Sequence, residues 1–235
     1  MIVAAKWMLG PLLLAQGRWV RRTTPVLPEP EGARAGIVGE GPAIRVLVVG
    51  DSAAAGVGAP SQDEALMGRI VAALRDRFRV EYRVVARTGA TTASTLRHLE
   101  KIDAFVVDAV VTSLGVNDVT GDVGVADFVV RQGRLRAILR EKFGARFILV
   151  SGLPPMGSFT ALPQPLRWYL GERAKELDLA LADSLVDGPG AQYLPLFRRM
   201  DRSLLASDGF HPGPLAHAQW GAAAAERIAK ALGKA

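Results

Sequence analysis

The chain contains no cysteine, which removes disulfides, thiolate metal sites and a cysteine nucleophile from consideration. Histidine is almost as scarce: only His98, His211 and His217 are present. None belongs to a His-Glu-x-x-His pair, so metal-dependent hydrolysis is not expected and no metal is assigned. Long hydrophobic runs are missing too. The apolar stretch from Trp7 to Ala15 is interrupted by Gly10-Pro11 and is too short for the roughly 20 apolar residues that span a bilayer. The glycine-rich segment Gly50–Gly58 matches neither Gly-x-Gly-x-x-Gly nor the Gly-Lys-Ser/Thr loop, so neither a nucleotide nor any other cofactor is expected. The net charge of +6 is accompanied by no zinc finger, basic zipper or aromatic RNA-binding signature, and nucleic acid is not an expected partner.

What the sequence does contain is a large apolar fraction, 49% of 235 residues, interspersed with charge. This is enough for one α/β domain of ordinary size. Residues 1–40 stand apart as an apolar and basic segment followed by a Pro/Glu/Gly-rich connector, and residues 41–235 form the expected domain. A secretory leader carries its positive charges ahead of the apolar run. Here only Lys6 precedes it, while Arg18, Arg21 and Arg22 follow, so a cytoplasmic location is favoured over export. Residues 7–22 have two readings: a helix packed on the domain, or a peripheral membrane contact with Trp7 and Trp19 among lipid headgroups. The other arginine runs, Arg75–Arg77–Arg79 and Arg131–Arg134–Arg136–Arg140, are expected to be solvated faces.

From Ile44 onward β-type runs alternate with helical patterns. Strands are expected at Ile44–Val49, Tyr82–Ala86, Ala104–Ser113, Phe147–Ser151 and Gln192–Leu194, several apolar on both faces as a buried parallel sheet requires. Helices are expected near Asp63–Phe78, with Ser61 and Glu64 as a capping box, and at Ala93–Leu99, Val125–Phe143, Leu166–Leu185 and Pro214 onward. This rhythm predicts a three-layer α/β/α sandwich around a doubly wound parallel sheet of about five strands.

Sites in such sheets lie beyond the carboxyl ends of the strands, and four loops there are polar: Gly50-Asp51-Ser52, Arg87-Thr88-Gly89, Gly115-Val116-Asn117-Asp118 and Ser207-Asp208-Gly209-Phe210-His211. Each alone reads as a turn or a cap. Together they provide what acyl transfer needs: a hydroxyl nucleophile (Ser52), a base (His211), a group to orient the base (Asp208), and oxyanion donors from the Ser52 N–H, the Gly89 N–H and the Asn117 side chain. On so short a loop a backbone carbonyl could share the orientation of the ring, in which case Asp208→Asn is expected to do less harm than His211→Ala. Asp51 and Asp118 are expected to organise their loops, and His98 and His217 to lie on helix surfaces. Met156, Phe159 and Leu162, within Leu153–Leu166, read either as an apolar substrate rim or as a packed loop.

The ordered set Gly50-Asp51-Ser52, Gly89, Gly115-x-Asn117-Asp118 and Asp208-x-x-His211 resembles the four blocks of the SGNH/GDSL hydrolases, from about Ile44 to the C-terminus. Ala53 replaces the leucine of the eponymous Gly-Asp-Ser-Leu. The resemblance implies a flavodoxin-like fold and a serine-dependent hydrolase of small-molecule carboxylic esters, acting through an acyl-serine; the apolar Leu153–Leu166 stretch and the basic N-terminal segment lean towards an acyl ester or lysolipid. The alternatives are a carbohydrate O-acetyl esterase or a thioesterase on the same fold and, outside catalysis, an acyl- or glycan-binding module.

Overall fold

The computed structural model describes residues 2–186 and 190–233, with side chains from Met8 onward. Six strands form one sheet: β1 (Ala35–Val38), β2 (Ala43–Gly50), β3 (Arg79–Ala86), β4 (Ala109–Ser113), β5 (Phe147–Ser151) and β6 (Ala191–Leu194). Their order is β1-β3-β2-β4-β5-β6, parallel throughout except for β1, which runs antiparallel to β3 at the edge. The helices are α1 (Ile2–Thr23), α2 (Ser52–Ala55), α3 (Leu66–Leu74), α4 (Thr92–Lys101), α5 (Val116–Thr120), α6 (Val125–Glu141), α7 (Leu166–Asp183) and α8 (Pro214–Leu232). Val46–Val49 are all buried because β2 has helices over both of its faces, the condition under which a parallel strand becomes continuously apolar. One cluster packs β2, β4 and β5 against α4, α6 and α7, and the other packs them against α3 and α8. The strand order reverses at β2, so the loop after Gly50 lies where a doubly wound sheet opens its crevice.

The sixth strand, β1, is an addition to the five expected. It precedes residue 41 and is short, with alternating exposure, so it lacks the apolar run that marks the buried strands. The expected strand at Ala104–Ser113 begins only at Ala109. Ahead of it, the Asp108 carboxylate takes the Arg45 backbone N–H at 2.8 Å and the guanidinium at 3.0 and 3.1 Å, while Phe105 packs edge-on against Phe143. The Ser61–Glu64 capping box does not form: α3 starts at Leu66 after an uncapped Ala65, and Glu64 instead pairs with Arg69. A reciprocal box occurs at Thr91 and Ser94 of α4.

His217 is buried, contrary to the helix-surface expectation, whereas His98 is exposed. Small residues explain the difference. Gly221 lies so close to α3 that a Cβ would meet the Arg69 Cβ at 2.4 Å, so the whole face through Ala216, His217, Trp220 and Ala224 is drawn into the core. Burial holds the His217 imidazole down to about 4, so it is neutral at pH 7. Of the arginine runs, Arg75, Arg77 and Arg79 are solvated, but Arg131, Arg136 and Arg140 are half-buried.

Helix α1 continues through Pro11 despite the hydrogen bond proline removes. Leu13, Gln16, Gly17 and Val20 follow the i, i+3, i+4, i+7 spacing of one face. Leu13 and Val20 are buried in the main cluster, each burial contributing roughly 1.5–3 kcal/mol. Gln16 donates to the Gln164 carbonyl at 2.7 Å and accepts from the Leu166 N–H at 3.1 Å, fixing α1 against the start of α7. Met8, Leu12 and Trp19 are exposed; the Trp7 side chain lies outside the described residues. Among the described residues no helix is long and apolar enough to cross a membrane.

Candidate active site

Ser52 is the first residue of α2, immediately past β2. Gly50 permits this sharp exit because a Cβ there would meet the Ser113 carbonyl oxygen at 2.2 Å. Asp51 caps α2, its carboxylate accepting the Ala53 N–H at 3.0 Å. Burial pushes that carboxyl up to about 6 even though the Ala53 N–H and the nearby His211 favour its ionised form. Asp118 has a parallel role at α4, accepting from the Thr92 N–H at 3.0 Å and its hydroxyl at 2.9 Å. Burial again raises its pKa. Both aspartates organise loops, as their turn and cap propensities predict.

The loop carrying Asp208 and His211 is closed at its base by a bridge between Leu205 and Pro212 and by the Ala206 N–H donating to the His211 carbonyl at 2.8 Å. Within it, Asp208 Oδ1 accepts the backbone N–H groups of Phe210 (2.9 Å) and His211 (3.0 Å), and Oδ2 lies 2.5 Å from His211 Nδ1. His211 Nε2 is 2.9 Å from Ser52 Oγ, across 159 residues of sequence. Burial favours a neutral Asp208, but the His211 ring and the two N–H donors outweigh it and hold the carboxyl below the usual carboxylate range. An ionised Asp208 is acceptor-only, which assigns the imidazole proton to Nδ1 and leaves the Nε2 lone pair for the serine hydroxyl. Both carboxylate oxygens are committed, and Asp208 itself faces Nδ1, which removes the expectation that Asp208→Asn would do less harm than His211→Ala.

Gly89 belongs to the loop after β3, and Asn117 to the first turn of α5 just beyond β4. Gly89 is exposed with φ +78°, a left-handed conformation that favours glycine. The Asn117 amide donates to the Ala90 carbonyl at 3.0 Å, tying the two segments together while using one of its two N–H groups. Among the described residues no cluster of His, Asp and Glu could hold a metal ion.

Two mainly apolar cavities lie beside these residues. A small one of about 40 Å³ is walled by Ser52, His211, Leu196, Phe197, Met200 and Trp220. The other, about 710 Å³, runs between α1, α5 and α7, with Asn117 in its wall. Phe210 borders both, set edge-to-face against Phe159 and the His211 ring. Met156 is buried in the core, so at this position the packed-loop reading holds; Phe159 lines the small cavity and Leu162 the large one. Leu196, Phe197, Met200, Phe210 and Trp220 were not among the site residues expected from the sequence. Of these, only Phe210 carried a signal, its place beside His211.

Residues 48–219 match the profile of the GDSL-like Lipase/Acylhydrolase family, and the chain belongs to that family. A GDSL-like esterase of Mycobacterium tuberculosis is 30% identical over 188 residues, covering 74% of this chain and 58% of that protein. The chain thus spans less than two thirds of that relative's length. Solved structures share the fold. A carbohydrate acetylesterase from Sinorhizobium meliloti superposes with a TM-score of 0.57 at 18% identity, covering 80% of this chain and 99% of that one. A G-D-S-L family lipolytic protein from Veillonella parvula does so with a TM-score of 0.58 at 12% identity, covering 78% and 97%.

Proposed function

We propose that this member of the GDSL-like lipase/acylhydrolase family hydrolyses carboxylic esters through an acyl-serine intermediate. The observation that carries this reading is the continuous relay from Asp208 through His211 to Ser52, with contacts of 2.5 and 2.9 Å. Neutral His211 accepts the Ser52 proton as Oγ bonds to the ester carbonyl carbon, and Asp208 stabilises the imidazolium that results. The carbonyl oxygen becomes an oxyanion facing the N–H groups of Ser52 and Gly89 and the free amide N–H of Asn117. On collapse, the carbon–oxygen bond to the alcohol breaks and His211 returns the proton to the leaving oxygen. Water then attacks the acyl-serine with His211 again as base, releasing the carboxylic acid and restoring Ser52.

Apolar walls around Ser52 favour an acyl ester or lysolipid over a sugar ester, which would need polar partners there. The second reading, an acetyl esterase, is favoured by the small cavity at Ser52, and structural neighbours include proteins named as carbohydrate acetylesterases. A fluorophosphonate probe tests the common core. It should label the chain once, on Ser52, and Ser52→Ala should abolish both labelling and ester turnover. Undiminished hydrolysis by that variant would remove the serine mechanism.

A further inference from the structure

The large groove beside Asn117 has no part in the chemistry described so far. It is predominantly apolar, lined by Leu13, Leu14, Val20, Leu162, Leu166 and Leu170, with Arg21, Thr120 and Asp122 also in its wall. Its volume of about 710 Å³ falls within the range typical of small-molecule sites, about 300–1,000 Å³. The stretch of α1 along its roof, Gly10 to Arg21, is about 16 Å long at 1.5 Å per residue. From the proposed ester chemistry, on which this inference rests, we infer that the groove holds the aliphatic acyl chain of the substrate and that α1 is the specificity-determining wall.

The direction of the chain follows from proton delivery. The leaving alcohol must lie within reach of His211 Nε2, and His211 is in the wall of the small cavity, not of the groove. The acyl chain attaches to the other side of the carbonyl carbon. It passes Asn117 and Phe210, the residues by which the groove adjoins the Ser52 site. The enzyme is therefore selective for medium- to long-chain acyl groups on a small or solvent-exposed alcohol.

The helix itself is consistent with an occupied groove. Gly10 and Gly17 both line it, and among the described residues a Cβ at either would meet no atom within 4 Å beyond the helix's own backbone. Glycine in a helix interior costs roughly 0.5–1 kcal/mol relative to alanine. Nothing in the packing of α1 requires that cost, since no neighbouring element approaches either glycine. What the missing side chains leave open is the groove.

Gly17→Trp fills the groove from its roof and provides the test. The wild-type chain and the variant would be assayed on 4-nitrophenyl butanoate and dodecanoate, with fluorophosphonate titration counting active Ser52 in each preparation. The dodecanoate-to-butanoate ratio of kcat/KM should fall about tenfold or more in Gly17→Trp. Gly10→Leu, a smaller filling of the same wall, should lower it in the same direction and serves if the tryptophan variant does not fold. Trp19→Ala, on the exposed face of α1, should leave the ratio unchanged. Acetates of long-chain alcohols, which put the aliphatic chain on the leaving group, should show no loss specific to Gly17→Trp. An unchanged ratio in filled, fully titrated variants overturns the acyl groove and spares the serine mechanism. A wild-type chain that neither labels at Ser52 nor hydrolyses any of these esters overturns both.

Discussion

Asp51 is buried beside Ser52, with its carboxyl raised from 3.8 to about 6. A raised folded-state pKa means that the folded protein binds this proton more tightly than the unfolded chain does. The resulting penalty is absent below pH 3.8, grows between 3.8 and 6, and is complete above 6, so stability falls as pH rises through that window. At 1.36 kcal/mol per unit the full penalty is about 3 kcal/mol. Asp51→Asn removes the titration and keeps an oxygen for the Ala53 N–H, the contact that caps α2. Its new amide N–H groups must also be desolvated, which makes about 3 kcal/mol an upper bound. Urea denaturation of both proteins at pH 4, 6 and 8 gives the assay. The variant should gain up to about 3 kcal/mol at pH 8, or roughly 6–12 °C in Tm for a chain of this size, and the gain should shrink to nearly nothing at pH 4. A difference independent of pH, or a variant less stable than wild type at pH 8, would refute the assignment of a buried, strained carboxylate. The gain should also carry a functional cost: an anion here favours the imidazolium that His211 becomes in the transition state, so kcat of the variant should drop by about threefold to tenfold.

Asp208→Asn should reduce kcat by about 10³–10⁴-fold, because an amide nitrogen facing Nδ1 selects the tautomer that cannot accept the serine proton; retention of more than a tenth of wild-type kcat would contradict the committed geometry of both carboxylate oxygens. Asn117→Ala should lower kcat by about 10²–10³-fold with KM little changed. Loss of its tie to Ala90 should cost only about 1 kcal/mol of stability. Wild-type kcat in a folded preparation would leave Asn117 a loop brace and no more.

The residues that meet in the candidate site were legible in the sequence because each sits in a short, local device. Gly50-Asp51-Ser52 follows an apolar strand, and Asp208 and His211 are three residues apart on a loop whose closure depends on its own backbone hydrogen bonds. The parallel strands were legible for a similar reason: burial on both faces leaves a short run such as Val46–Val49, rich in valine and closed by Gly50, whose length and β-branched content mark a strand. What escaped notice depends either on an unusual local signal or on partners distant in sequence. Thr91 and Ser94 form a reciprocal cap with serine where glutamate or glutamine is the usual signal. His217 becomes buried only because Gly221 lets α8 settle onto α3.

Helix α1 is the fullest example. Its inner face is Leu13, Gln16, Gly17 and Val20, so half of the positions that should be apolar are an amide and a glycine, and the periodicity is muted. Both departures acquire a reason only from a segment almost 150 residues away: Gln16 is held by Gln164 and Leu166, and Gly17 faces open space across from α7. In the sequence the two positions interrupt an apolar face; in the fold one anchors that helix and the other leaves room beneath it. If the groove is the acyl site, substrate selectivity resides in side chains that the strand-end motifs do not include. Variation along α1 would then alter chain-length preference while Ser52, Asp208 and His211 stay the same, which explains why the motifs that identify the chemistry are silent about the substrate.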